Sequence, residues 1–122
     1  MPMKSQIITH KGKQILVCAY NDFGTNLVAL TAEVNAVDAW IITQPLNSVL
    51  SVADVSRTMP TPQAVSLMMK STSRTKDYLR KQAVVGLASD RSVLARLVSN
   101  TSGLGLRLFD TIEAANDWLV EE

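Results

Sequence analysis

Short apolar runs alternate with helix-spaced apolar stripes along nearly the whole chain, and few folds accommodate that alternation. "SVLSVADVS", residues 48–56, is brief, rich in Val and closed by small polar residues, which is the composition of a strand. "KQAVVGLA", residues 81–88, is a continuous apolar run with a flanking Gly, the pattern of a strand covered on both faces. Between them Thr61-Pro62 reads as an N-cap followed by proline in the first helical position, where its missing N–H costs nothing. The helix predicted from there to about Leu79 has Val65, Met68, Met69, Thr72 and Leu79 as its inner stripe.

The pattern extends in both directions. Ile7-Ile8-Thr9 and the run from Ile15 to Tyr20 are separated by Lys11-Gly12, and Gly at the second turn position tolerates positive φ, so a tight hairpin is predicted. After the turn-like "NDFGTN", Leu27, Leu30, Val34, Val37 and Ile41 recur at spacings of three and four, one face of a helix running to about Thr43 and ended by Gln44-Pro45. Further on, Ser89-Asp90 caps a third predicted helix with Val93, Leu94, Leu97 and Val98 inside, stopped by Gly103 and Gly105. "LRLF" is another strand. Asp110-Thr111-Ile112-Glu113 has the acceptor-x-x-Glu spacing of a capping box and opens a last helix carried by Ile112, Ala115, Trp118 and Leu119. Strands alternating with helices imply right-handed crossovers. The expectation is a single layered α/β domain over residues 1–122, with a mostly parallel four- or five-stranded sheet, an N-terminal antiparallel hairpin at its edge and four flanking helices.

Composition narrows the function. A chain of 122 residues buries roughly two-thirds of its extended surface around one core. Twelve Lys plus Arg against eleven Asp plus Glu leave a formal charge of +1, so no global field draws nucleic acid or an anionic membrane. Cys18 is the lone cysteine and cannot form an intrachain disulfide, the start lacks an apolar leader, and no stretch approaches ~18 uninterrupted apolar residues. A cytoplasmic protein without an integral membrane segment is the expectation.

Several chemistries are missing. His10 is the only histidine and sits beside the predicted turn, so no two-histidine metal site exists, and Cys18 within an apolar strand reads as a small core residue. The glycines of "TSGLGLRLF" precede a strand, whereas a dinucleotide loop needs them between a strand and the following helix. Neither a metal nor a cofactor is expected. Capping accounts for Asp90 and Asp110. Asp22 and Asp54 fall where parallel sheets meet ligands, at the carboxyl ends of strands, and an acid there can bind a cation or act as acid or base. Between Lys70 and Lys81 the chain carries Lys70, Arg74, Lys76, Arg80 and Lys81 against Asp77, a solvated helix face or an anion site. The helix over 24–43 has only Glu33 and Asp38 as charges and a second apolar line, Val28, Ala32, Ala36, Ala39 and Ile42, so part of it is expected to meet a second subunit or a ligand.

"ITHKGKQILVCAY", "SVLSVADVS", "QAVVGLASDRSVLARLV" and above all "LRLFDTIEAANDWL" resemble the SpoIIAA-like proteins, a STAS-related group with an anti-sigma-factor-antagonist fold. The resemblance implies a four- or five-stranded sheet flanked by helices and a role in binding or regulation without enzyme activity. Related folds include lipid-carrying CRAL-TRIO domains, so an apolar small-molecule ligand enters the same expectation. STAS regulators proper carry a phosphorylatable serine in an Asp-Ser-Ser-Gly type motif at the start of the helix after the middle strand. This chain departs from it with "RTMPTP", Thr61 at the nearest corresponding place and no Ser-Gly, leaving helix capping by Thr61 as the competing role.

The resulting expectation is a non-enzymatic module, homodimeric, that docks a protein partner or a small apolar ligand through Asp54, Ser56, Arg57, Thr58, Met59 and Thr61, with Met68 and Met69 beside them. The alternative is a small hydrolase or transferase using Asp22 or Asp54 as base with Arg57 stabilising an oxyanion. Nucleic acid is not an expected partner.

Overall fold

Lys11 and Gly12 both adopt positive φ, 51° and 81°, the twist a two-residue hairpin turn requires. They join β1 (Gln6–His10) to β2 (Lys13–Ala19), which pair antiparallel with Ile7 opposite Leu16 and Ile8 opposite Ile15. In the computed structural model, which describes residues 4–59, 61–86 and 105–121, the chain then passes through α1 (Leu27–Ile41) to β3 (Val49–Asp54) and through α2 (Pro62–Thr75) to β4 (Leu79–Val85). The last elements are β5 (Gly105–Phe109) and α3 (Ile112–Leu119).

The five strands form one sheet in the order β1-β2-β3-β4-β5, with β2 to β5 mutually parallel. Sequential parallel strands with crossovers of one hand put the connecting helices on the same face. Accordingly Leu30, Val34, Val37 and Ile41 of α1 and Ala64 of α2 pack with Leu16, Cys18, Val49, Ala53 and Leu79. The opposite face carries α3, whose Ala115 and Leu119 cover Ile15, Leu50, Val52, Ala83 and Val85. β3 is thus covered on both sides, and its first five residues are all buried. That is why its sequence is apolar without alternation.

Several sequence expectations are corrected here. The helix predicted to about Leu79 ends at Thr75. Leu79 owes its burial to β4, where it pairs with Val49. The acceptor that caps α3 is Thr111 and not Asp110: the Thr111 hydroxyl accepts from the Ala114 N–H at 3.1 Å, one residue later than the capping-box spacing places it. Gly105 opens β5 instead of ending a helix. Leu27, expected inside, is 36% exposed, because side chains lean toward the helix N-terminus and this one stands in the first turn. Three helices lie among the described residues where four were expected. The helix predicted from Ser89-Asp90, with Val93, Leu94, Leu97, Val98 and Gly103, lies outside the described residues. Among the described residues no helix is long and apolar enough to cross a membrane.

The two charges of α1 point inward. Glu33 accepts from the backbone N–H groups of Lys4 (3.0 Å) and Ser5 (2.8 Å) and from the Ser5 hydroxyl (2.6 Å), fixing the chain that enters β1. Asp38 accepts from the Ser71 hydroxyl at 2.7 Å and from Arg74 at 2.6 Å, joining α1 to α2.

Candidate functional site

Because β2 to β5 run in one direction, their carboxyl ends at Ala19, Asp54, Val85 and Phe109 share one edge of the sheet. The loops after β2 and β3 meet there and are stitched together. The N–H groups of Asp22 and Gly24 donate to the carbonyls of Ser56 (2.8 Å) and Arg57 (3.0 Å), and the Met59 N–H donates back to Gly24 at 2.8 Å. Gly24 and Thr58 form a parallel bridge. The Thr58 hydroxyl donates to the Tyr20 carbonyl at 2.6 Å and accepts from the Phe23 N–H at 3.1 Å. The ladder therefore continues past the end of both strands. Asp22, Gly24 and Arg57 take positive φ to make the bends, at 65°, 54° and 59°.

Each polar group expected at the site has a local task. One oxygen of Asp54 accepts from both the Ser56 N–H (3.0 Å) and the Ser56 hydroxyl (2.6 Å), a closed turn of the kind Asx residues make. Thr61 is the N-cap of α2, accepting from the Ala64 N–H at 3.1 Å, with Pro62 after it as the sequence predicts. Asp22 and Asp54 share the edge but do not act on a common point: Asp22 forks with Arg57 through Nε and through Nη2, the latter at 3.1 Å. The Arg57 guanidinium beside Asp22 holds its carboxyl below the usual range. Gly86, at the tip of β4, closes the rim from the third side, so near that an added Cβ would lie 2.2 Å from the Ser56 hydroxyl.

What remains open to solvent is a short sequence of unlike groups. The Arg57 side chain is 70% exposed and Met59 is 53% exposed. Met68 packs against the core, and Met69 lines a shallow open groove of about 520 Å³ along α2 with Pro62, Val65, Lys70 and Arg74.

The other candidates resolve into structure. Cys18 is 2% exposed beside the Ser51 hydroxyl at 3.6 Å, and burial pushes its thiol up to about 11, which leaves it unreactive near neutral pH. His10 meets Asp117 at 2.8 Å, a contact between residues 107 apart that no local pattern in the sequence could have revealed. The basic run from Lys70 to Lys81 is divided. Arg74 serves Asp38, while Lys81 crosses to the other face of the sheet, where its ammonium donates to the carbonyls of Trp118 (3.1 Å) and Glu121 (2.7 Å) and lies 5.0 Å from the Trp118 ring. Cations at the carboxyl end of α3 complement its dipole. Among the described residues no group of three His, Cys, Asp or Glu side chains is placed to hold a metal ion. No family model, no curated protein and no solved structure matches the chain.

Proposed function

We propose that this chain is a non-enzymatic binding or regulatory module of the SpoIIAA-like, STAS-related type, acting in the cytoplasm, which docks a protein partner or a small apolar ligand at the rim from Asp54 to Thr61. One observation carries the reading. Asp54, Ser56, Thr58 and Thr61 spend hydrogen-bonding groups on each other and on the backbone, while Met59 and the Arg57 side chain, forked to Asp22, stay exposed. An exposed guanidinium and an adaptable thioether on one short loop suit recognition, since Arg and Met are enriched where proteins meet. A five-stranded sheet flanked by helices agrees with what the family resemblance implies.

The hydrolase or transferase alternative has less support. A general base needs a free lone pair and a pKa near the working pH. One oxygen of Asp54 is taken up by Ser56, and Asp22 is held low by the arginine that would have to stabilise an oxyanion.

Native mass spectrometry of the chain purified from cell extract tests the proposal. The expected result is a bound molecule or partner that Met59→Asp combined with Arg57→Ala removes while the far-UV circular dichroism stays unchanged. Absence of any adduct, or an adduct the double variant keeps, refutes it. Turnover that disappears in Asp54→Ala would establish the enzymatic alternative instead.

A further inference from the structure

On the face of the sheet that α3 covers, two cations and two aromatic rings meet. Arg107 pairs with Ala83 and Phe109 with Val85, and Ala83 and Val85 both lie under α3. Residues two apart on a strand share a face, so Lys81 of β4 looks the same way. The Arg107 guanidinium carbon lies 5.5 Å from the ring centroids of both Phe109 and Trp118. Those rings are themselves 5.5 Å apart, and the Lys81 ammonium stands 5.0 Å from Trp118.

The two cations are not equivalent. Lys81 donates to the carbonyls that end α3, Trp118 at 3.1 Å and Glu121 at 2.7 Å. Arg107 is exposed, and among the described residues its guanidinium meets only the two rings, with no hydrogen bond and no carboxylate in ion-pair contact. Asp117 does not compensate it. One position from Trp118, and so about 100° round the helix, that carboxylate is engaged by His10 and Lys11 instead.

Contact with two rings restrains the guanidinium while leaving its five N–H donors unspent, so part of the ordering that binding requires is already in place. An ordered fork of donors matches a planar oxyanion. One uncommitted positive charge, beside an ammonium already engaged, balances a single negative charge, which favours a carboxylate over a doubly charged phosphate.

We propose that Arg107, framed by Phe109 and Trp118, anchors a carboxylate of an acidic peptide segment in a partner. The site uses no residue between Asp54 and Thr61, so it and the rim reading stand or fall separately.

The test follows the Arg107 Nε–H and Trp118 indole N–H resonances of the full chain in proton–nitrogen correlation spectra, during titration with a capped tetraglutamate peptide. Both are expected to shift saturably, with a Kd of about 1 mM or below. Arg107→Gln, read at the indole, is expected to weaken binding at least about tenfold. Lys70→Gln removes the same charge from an exposed position on α2 and is expected to change binding by less than about twofold. Absence of a saturable shift up to about 10 mM peptide overturns the proposal. So does equal binding of a capped tetraglutamine peptide, binding that Arg107→Gln leaves unchanged, or a loss as large in Lys70→Gln. Inorganic phosphate binding more tightly than the peptide would overturn the choice of a carboxylate.

Discussion

Replacing Gly86 with alanine tests the closure of the rim directly. Gly86 has φ of +84°, and an added Cβ would lie 2.2 Å from the Ser56 hydroxyl oxygen, 2.8 Å from its nitrogen and 2.9 Å from its Cα. The left-handed backbone costs a non-glycine residue about 1–2 kcal/mol. Overpacking adds about 1–3 kcal/mol, because two of the three contacts are backbone atoms that cannot rotate away. We expect Gly86→Ala to destabilise by about 3 kcal/mol, a fall in Tm of about 10 °C for a chain of this length. Urea denaturation followed by circular dichroism and tryptophan fluorescence measures it. Ser56→Ala in the same background removes the nearest atom, so the double variant should be more stable than the sum of the single costs by about 1 kcal/mol. A Gly86→Ala protein within about 0.5 kcal/mol of wild type, or strict additivity with Ser56→Ala, would show that the β3 and β4 tips do not touch as described.

Three further outcomes follow from named contacts. Glu33→Gln should cost about 1–2 kcal/mol at pH 7 and Glu33→Ala about 3, since the alanine strands the buried Ser5 N–H. Burial raises the Glu33 pKa, but bonds from Ser5 and Lys4 outweigh it and hold the carboxyl below its usual range. Its stabilisation is therefore complete above the unfolded value of 4.5 and is lost as pH falls through the lower folded value. Acid titration of stability should be steeper for wild type than for Glu33→Gln. Arg74→Ala leaves the Asp38 carboxylate buried with Ser71 alone and should cost about 2 kcal/mol by urea denaturation, with Arg74→Lys losing less. Thr61→Ala removes the cap of α2 and should lower stability by about 1 kcal/mol in the same assay.

How far the fold could be read from the residues depends on how local the cause was. The Lys11-Gly12 turn, the Thr61-Pro62 start of α2 and the burial of Leu30, Val34, Val37 and Ile41 follow from neighbours a few positions away, and each is found where its pattern puts it. Nothing between Thr75 and Leu79 breaks a helix by composition, so the apolar spacing carries the predicted helix on to Leu79. The exchange is decided by pairing with Val49, thirty residues earlier. Asp110 and Thr111 are both good caps, and only the start of packing against the sheet selects between them. The edge that gathers Asp22 with the residues after Asp54 was legible from strand polarity alone. The tasks of those residues were not, because the Asp22–Arg57 and Tyr20–Thr58 contacts join segments more than thirty positions apart. Separations of about thirty positions likewise hide the inward turn of Glu33 and Asp38, whose partners stand on β1's approach and on α2.

The stitching of residues 20–24 to 56–59 has a kinetic corollary. Main-chain bonds in both directions make these segments a stiff lip. On the proposed reading, a partner docking at this lip would find its seat ready-made, and its arrival would be governed by diffusion and its departure by the strength of the contacts. Length changes in one segment would have to be matched in the other, which couples the two halves of the lip in any redesign.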